Sequence, residues 1–279
     1  LCRGARNPAK PGIRRFHESI AVSVTGKNWY LINASPDVRL QIEATDVLHP
    51  GPGIRETPIR GVLLSDGELD HTTGLLILHE GAPKLDIYAT AAVQSLLMSA
   101  FPIRHILKSY AAFRWVEINS GEPFLLDADN LCVQAFATGE KKPRYAGGTQ
   151  LRGEQVIGYR LEDANTNRVV VYAPRIESWS NELATQISQS ECAIVDGTFY
   201  TDNEMLSIGI SPRTAQALGH MPISGKNGLA ERLAMFPNVR KILTHVNNTN
   251  PVLDETSPER MALAGNGIEV GYDGMLLEF

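Results

Sequence analysis

Apolar residues fall in short runs along this chain, broken by polar stretches rich in glycine and proline, and that rhythm predicts alternating strands and helices. Glu18–Val24 (ESIAVSV) and Asn28–Ser35 (NWYLINAS) read as two strands of a hairpin turning through Thr-Gly-Lys. PDVRLQIEATDVLH follows as a helix, and HPGPGIRETP as a loop. IRGVLLS is a buried strand, DHTTGLLILHEG a loop running into a helix, and KLDIYAT another strand. AAVQSLLMSAFPIRHIL is helical up to its proline, with a second helix beyond it. FRWVEIN, LCVQAFAT, GYRLED and RVVVYAP continue the strand character, and ECAIVDGTF, VRKILTHV and IEVGYDGMLLEF repeat it later. Helices are expected at NELATQISQS and GKNGLAERLAMF, and a mobile polar loop at 139–155 (GEKKPRYAGGTQLRGEQ). Strands followed by helices, in two halves, fit a four-layer αβ/βα sandwich of α/β class, although the pattern alone does not select it over other α/β arrangements.

Composition narrows the function classes. The 279 residues carry 43% hydrophobic and 20% charged side chains, the balance of a soluble globular protein with a sizeable core. A net charge of -5 argues against a nucleic-acid or anionic-membrane partner. No apolar run reaches the roughly 18–20 residues that span a bilayer. Three cysteines (Cys2, Cys132, Cys192) suggest a reducing compartment, and LCRGARNPAKPG has no apolar signal core, so a cytoplasmic location is expected.

Three predicted strands end in residues able to hold a metal: GVLLSDGELDH in Asp70 and His71, CAIVDGT in Asp196, and KILTH in His245. Ligand sites in α/β proteins gather where strand ends meet loops. Each feature alone has an ordinary explanation as a solvated loop, a turn aspartate or a hydrogen-bonded core histidine. Their recurrence on three strands favours a shared site. Asp70 and His71 are neighbours, so both could face one ion only from an irregular turn.

DGELDHTTGL resembles the signature loop of the metallo-β-lactamase superfamily, His-x-His-x-Asp-His, with Asp66 and Glu68 in place of the first two histidines. VDGTF is similar to the superfamily's bridging-aspartate strand and ILTH to its last histidine strand. NASPDVRLQI, YAPRIE, LGHMPISG, HVNNTNPVLDETSPER and GIEVGYDGM together resemble the pyrroloquinoline quinone (PQQ) biosynthesis protein B family over essentially the whole chain. The resemblance implies one metallo-β-lactamase-fold domain over residues 1–279, with a glycine-rich first strand and part of a cysteine cluster missing ahead of it.

The departures from the superfamily pattern carry chemical information. One metal site loses its two leading histidines to Asp66 and Glu68, and residues 138–159 contain no histidine to complete it. The other keeps Asp70, His71 and His245, with Asp196 as a further carboxylate. Two imidazoles and a carboxylate with open positions suit non-haem Fe(II) and dioxygen, whereas a hydrolytic di-zinc site needs nitrogen-rich ligands. Asp66 and Glu68 could orient a ligand histidine, act as a general base, or hold a weak second ion. His220, in GHMP, is expected at the pocket as a proton donor or base. His17, His49, His79 and His105 read as surface or capping residues.

The family's structural zinc sits in a Cys-x-Cys-x-x-Cys cluster of which only Cys2 remains, and Asn248 stands where related enzymes place the fourth ligand. One cysteine cannot close a tetrahedral site, so zinc there requires the full cluster. Cys132 and Cys192 read as inert core residues. By resemblance, Asn33, Ser35 and Asp37 line the pocket mouth and Arg39 pairs with a substrate carboxylate. The implied activity is Fe(II)-dependent hydroxylation of the tyrosine ring in a Glu-Tyr-derived precursor, with zinc as the metal expected on purification. Two other classes stay open: a carrier that binds or transports PQQ or its precursor, and a metallohydrolase. The expected partner is the small peptide-derived precursor or PQQ, without nucleic acid or membrane, and a homodimer is admitted.

Overall fold

The structure, a computed structural model, describes residues 15–279 except 55, 80–83, 111–112, 127–129 and 151. Cys2 lies outside the described residues. Two compact units divide the chain: His17–Asn167, and Arg168–Phe279 with the segment ending at Phe16.

In the first unit a five-stranded sheet runs in the order β1-β2-β3-β4-β5. Its strands are β1 (Ile20–Val22), β2 (Trp29–Ile32), β3 (Ile59–Leu63), β4 (Leu85–Ala89) and β5 (Phe113–Glu117). The expected hairpin is present, Ile20 pairing with Ile32, and all later pairs are parallel. Parallel strands are covered on both faces, which is why Gly61–Leu64 reads as an unbroken apolar run. Leu31, Val62, Leu64, Ile87 and Ala89 pack against Val38, Leu75, Val93, Leu97 and Ile103 from the intervening helices. Those helices are Val38–Glu43, Leu69–Thr72, Leu75–Leu78, Ala91–Leu96 and Ile103–Leu107. Ala91–Leu96 is capped by the Thr90 hydroxyl, which accepts from Val93 N, and Pro102 opens the next helix as expected from the sequence.

Three antiparallel strands follow, β6 (Pro123–Leu126), β7 (Leu131–Gly139) and β8 (Val156–Asp163). Sequence reading misses β6, a short strand opened by proline; that first position tolerates its missing N–H. The 139–155 segment departs from the expected mobile loop. It forms a 3-10 turn at Arg144–Ala146, buries Ala146, and places the Tyr145 hydroxyl 2.5 Å from the Gly67 carbonyl as its donor.

The second unit holds four parallel strands in the order β12-β11-β10-β9. They are β9 (Val169–Ala173), β10 (Cys192–Asp196), β11 (Arg240–Thr244) and β12 (Ile268–Val270). Every residue of β10 is buried. Asn181–Ser188, capped by Ser180, returns the chain from β9 to β10, and Pro258–Gly265, capped by Ser257, from β11 to β12. The sequence pattern finds the first of these and Leu229–Leu233, but not Pro258–Gly265 or the single-turn helices Glu204–Ser207 and Ala215–Leu218. Cys192 is buried as expected and burial pushes its thiol up to about 12, whereas Cys132 is only half-buried.

Gly74 joins two short helices of the first unit while donating its N–H to the Ala34 carbonyl at 2.9 Å. A Cβ there would lie 2.7 Å from the Ala34 carbonyl oxygen, a backbone atom that cannot swing aside. Gly74→Ala is therefore expected to destabilise this unit by about 2 kcal/mol or more, read as a lower midpoint in urea unfolding.

Candidate functional site

In the first unit, the chain leaves β3 through Ser65 and Asp66 and turns back as the helix Leu69–Thr72. Glu68 sits extended at its N-cap, with the His71 N–H and the Thr72 hydroxyl donating to its carbonyl at 3.1 and 2.8 Å. Asp70 and His71 thus ride on one helical turn, more regular than the expected turn. Asp66 is fully buried and accepts from the Glu68 N–H and from His71 Nδ1, each at 2.8 Å. His71 is equally buried; its Nε2 stands 3.3 Å from Glu18 Oε2 and 3.8 Å from Asp70 Oδ2. Burial pulls this imidazole toward neutrality, but Asp66, Asp70 and Glu18 overcome it and hold the pKa up at about 10. The Asp66 bond fixes Nδ1 as the donor and leaves Nε2 as the ring's outward nitrogen.

Asn33 completes this cluster from the end of β2. Its backbone is left-handed, φ 63°. Its side chain donates to Glu18 Oε2 at 2.8 Å and to the Ser65 hydroxyl at 3.0 Å, and accepts the Ser65 N–H at 2.9 Å. The adjacent Ala34 N–H takes the His71 carbonyl at 2.8 Å, so β2 and the His71 turn are fastened through backbone as well as side chains.

The second unit builds a similar device at the ends of β10 and β11. Asp196 is fully buried and accepts from Ile176 N–H (2.9 Å), His220 Nδ1 (2.8 Å), Thr198 N–H (3.0 Å) and the Thr198 hydroxyl (2.6 Å). The Thr198 oxygen lies 2.7 Å from His245 Nδ1. Because the hydroxyl proton goes to the carboxylate, the oxygen must accept from His245 Nδ1–H, placing that ring's lone pair on Nε2. Burial lowers the pKa of His220, keeping it neutral with its own lone pair on Nε2. Burial alone would raise Asp196, but His220, His245 and Thr198 outweigh it and hold the carboxyl ionised. The two imidazole rings stack at 5.4 Å, and one ligand atom from each of Asp196, His220 and His245 lies within 4.8 Å of the others.

His245 is itself left-handed, φ 56°. The segment after it is clamped to the β10 loop: the Asn247 N–H donates to Thr198 O at 3.1 Å, and Asn250 Nδ2 to Gly197 O at 2.8 Å and Thr198 O at 3.2 Å. Gly197 admits this approach, since a Cβ there would sit 2.8 Å from the Thr244 carbonyl oxygen.

The residues expected from sequence fall as follows. Asp66 orients His71, which answers one of the roles left open for it, while Glu68 is half-buried at the helix start. His220 belongs to the Asp196–His245 group. Asn33 and Ser35 are fully buried, Ser35 donating to Gln41 Oε1 at 2.7 Å. Asp37 accepts from His17, and exposed Arg39 pairs with Glu43 at 2.8 Å. His49 and His79 meet the Glu43 and Leu76 carbonyls, a capping use. Sequence reading misses Glu18, Ser65, Thr198 and Asn250. The Asp-Gly-Thr spacing after β10 offered a signal for Thr198, because such an aspartate bonds the backbone two residues on; Glu18 had none.

Comparison with known proteins gives consistent matches. The Beta-lactamase superfamily domain model matches residues 28–246. Coenzyme PQQ synthesis protein B of Methylobacillus flagellatus is 39% identical over 278 residues, covering 98% of this chain and 91% of that protein. The Cupriavidus necator protein of the same name is 40% identical over 277 residues, covering 98% and 91%. Among solved structures, Zn(2+)-bound PqqB from Methylobacterium extorquens superposes with a TM-score of 0.87 at 32% identity, covering 97% of this chain and 91% of that one. A diphosphatase of the PhnP family shares the fold at a TM-score of 0.64 and 17% identity.

Two outcomes follow from this geometry. The pKa of His71 is raised above its unfolded value of about 6.5, so its stabilising contribution is complete below that pH and is lost as pH rises through about 10. Melting of metal-free protein between those limits should show a decline that His71→Gln removes. Thr198→Val keeps the shape but takes away the acceptor for His245 Nδ1, and should weaken zinc binding about 10- to 100-fold by calorimetric titration.

Proposed function

The chain belongs to the family of coenzyme PQQ synthesis protein B within the β-lactamase superfamily, and from that premise we propose that it is a metal-dependent enzyme of PQQ synthesis. The substrate in this reading is a small precursor derived from glutamate and tyrosine, and the reaction is hydroxylation of the tyrosine ring by dioxygen and an external two-electron reductant, one oxygen atom entering the ring and the other leaving as water. The observation that carries the metal dependence is the meeting of Asp196 and His245, an ionised carboxylate and an imidazole with ligand atoms within 4.8 Å of each other, beside His220. That donor set fits a divalent first-row metal, and the match to a Zn(2+)-bound relative supports the fit.

The proposed ligands are Asp70, His71, Asp196 and His245, each histidine through Nε2. Fe(II) bound there supplies the capacity to activate dioxygen, and zinc would outcompete it at most nitrogen and oxygen sites during purification. The remaining chemistry belongs to the chain. Asp196 holds His220 by Nδ1, so its Nε2 is the atom that takes the phenolic proton from the ring being hydroxylated. Asp66 fixes the orientation of His71, and Thr198 that of His245. Glu68 remains a candidate for a second proton transfer, and Asn33, Ser35, Asp37 and Arg39 stay proposed as residues of the substrate mouth. A cytoplasmic setting agrees with the absence, among the described residues, of any helix long and apolar enough to cross a membrane.

Anaerobic loading with Fe(II), then exposure to oxygen with a Glu-Tyr peptide and ascorbate as the two-electron reductant, tests the reading by mass spectrometry. A product heavier by one or two oxygens is expected, absent with His245→Ala and slowed with His220→Gln chiefly at neutral pH and above, where the wild-type imidazole is unprotonated and able to take a proton. Stoichiometric iron without oxygen incorporation, accompanied by tight PQQ binding, would replace the enzyme by a carrier.

A further inference from the structure

Glu204 is a buried carboxylate of the second unit that the proposed reaction does not use. It opens the single-turn helix Glu204–Ser207 and is only 6% exposed. Such a group is costly to bury unless its oxygens are filled, and both are. Oε2 accepts the Tyr200 N–H at 2.7 Å, and Oε1 accepts the Thr249 hydroxyl at 2.5 Å. Tyr200 lies on the loop that leaves β10 after Asp196, and Thr249 on the loop that leaves β11 after His245. Glu204 therefore ties together the two loops that carry Asp196 and His245.

This bond sets a direction along the second loop. A carboxylate only accepts, so the single Thr249 hydroxyl proton goes to Glu204 and the hydroxyl oxygen is left to accept. The Asn247 side chain fills that place, donating from Nδ2 at 2.6 Å. The Met205 sulfur packs against the same two groups, 3.6 Å from Asn247 Nδ2 and 3.7 Å from the Thr249 oxygen. Asn247 also donates its backbone N–H to the carbonyl of Thr198, whose hydroxyl meets His245 Nδ1. Glu204, Thr249 and Asn247 thus repeat, one step farther out, the carboxylate–threonine–nitrogen order of Asp196, Thr198 and His245.

The left-handed backbone of His245 is disfavoured for a residue with a Cβ and persists only where the surrounding structure over-determines it. Asn248 is exposed, and the hydrogen bonds that hold the segment come from Asn247, Thr249 and Asn250. We infer that Glu204 and Thr249 are positioning residues for His245, keeping its ring in the tautomer and orientation that offer the Nε2 lone pair to a metal. They act through Asn247 and Thr198 and touch neither metal nor substrate. The inference rests on His245 being a metal ligand, as proposed above.

The test sets Thr249→Val, which keeps the shape and removes the hydroxyl, against Thr249→Ser, which keeps the hydroxyl. Calorimetric titration of the full chain with zinc should show binding weakened about tenfold in Thr249→Val and close to wild type in Thr249→Ser. Proton–nitrogen correlation spectra of the metal-free protein read the His245 ring directly. Wild type and Thr249→Ser should show the Nδ1–H form, and Thr249→Val a mixture with the Nε2–H form. Glu204→Gln leaves either the Tyr200 N–H or the Thr249 hydroxyl without an acceptor and should behave as Thr249→Val does. Asn247→Ala breaks the same relay at a half-buried position and should reproduce both effects if Thr249→Val fails to fold. A wild type that takes up no zinc, with ring spectra responding as stated, would sink the metal reading and uphold the positioning role. Unchanged ring spectra in Thr249→Val and Asn247→Ala, or no recovery in Thr249→Ser, would overturn that role.

Discussion

Everything at the candidate site depends on a buried carboxylate that holds an imidazole by its Nδ1. Ionised carboxylates are costly to bury unless their lone pairs are filled. Asp196 meets that condition with four donors from Ile176, Thr198 and His220, and Asp66 with the Glu68 N–H and His71. Removing one donor does more than delete a bond, because it leaves charge unsatisfied in a dry setting. The orientation of His71 and His220, and hence which nitrogen of each ring points outward, is a consequence of that carboxylate.

The fold explains why such pairs form at strand ends. Strands β3 and β10 are parallel and buried, so their polar side chains are excluded until the backbone leaves the sheet. Asp66 and Asp196 are among the first residues past, or at, that limit. Backbone in the left-handed region at Asn33 and His245 then lets the neighbouring strands turn their side chains toward them. Such conformations are disfavoured for residues with a Cβ and persist only where surrounding bonds over-determine them. Asn33 is fixed by Glu18 and Ser65, His245 by Thr198 and the clamped loop behind it.

Most of this was legible in the sequence where a local signal existed. Apolar runs located β3, β10 and β11, and the metallo-β-lactamase-like α/β fold inferred from DGELDHTTGL and VDGTF is the fold that the superfamily match and the PqqB superposition establish. What escaped were elements set by tertiary packing rather than pattern. Strand β6 is too short and too proline-led to show alternation, and single-turn helices carry no periodicity. The loop at 139–155 looked free because it is polar, but Tyr145 anchors it to Gly67 through one hydroxyl that no local rule anticipates. Glu18 reaches His71 from far away in sequence, and such a partner is invisible until the sheet is assembled.

The Asp66–His71 pair has a further consequence for how a metal is acquired. At neutral pH the metal-free ring is an imidazolium, held charged by three carboxylates in a buried pocket. Any cation that reaches its Nε2 must first expel a proton, so uptake there is an exchange of one positive charge for another rather than a simple addition. One imidazolium offsets only one of the three carboxylates, so the pocket stays negative and still attracts a cation before the ion arrives. Acidic conditions, which hold that proton in place, therefore oppose loading at this histidine, and alkaline conditions favour it.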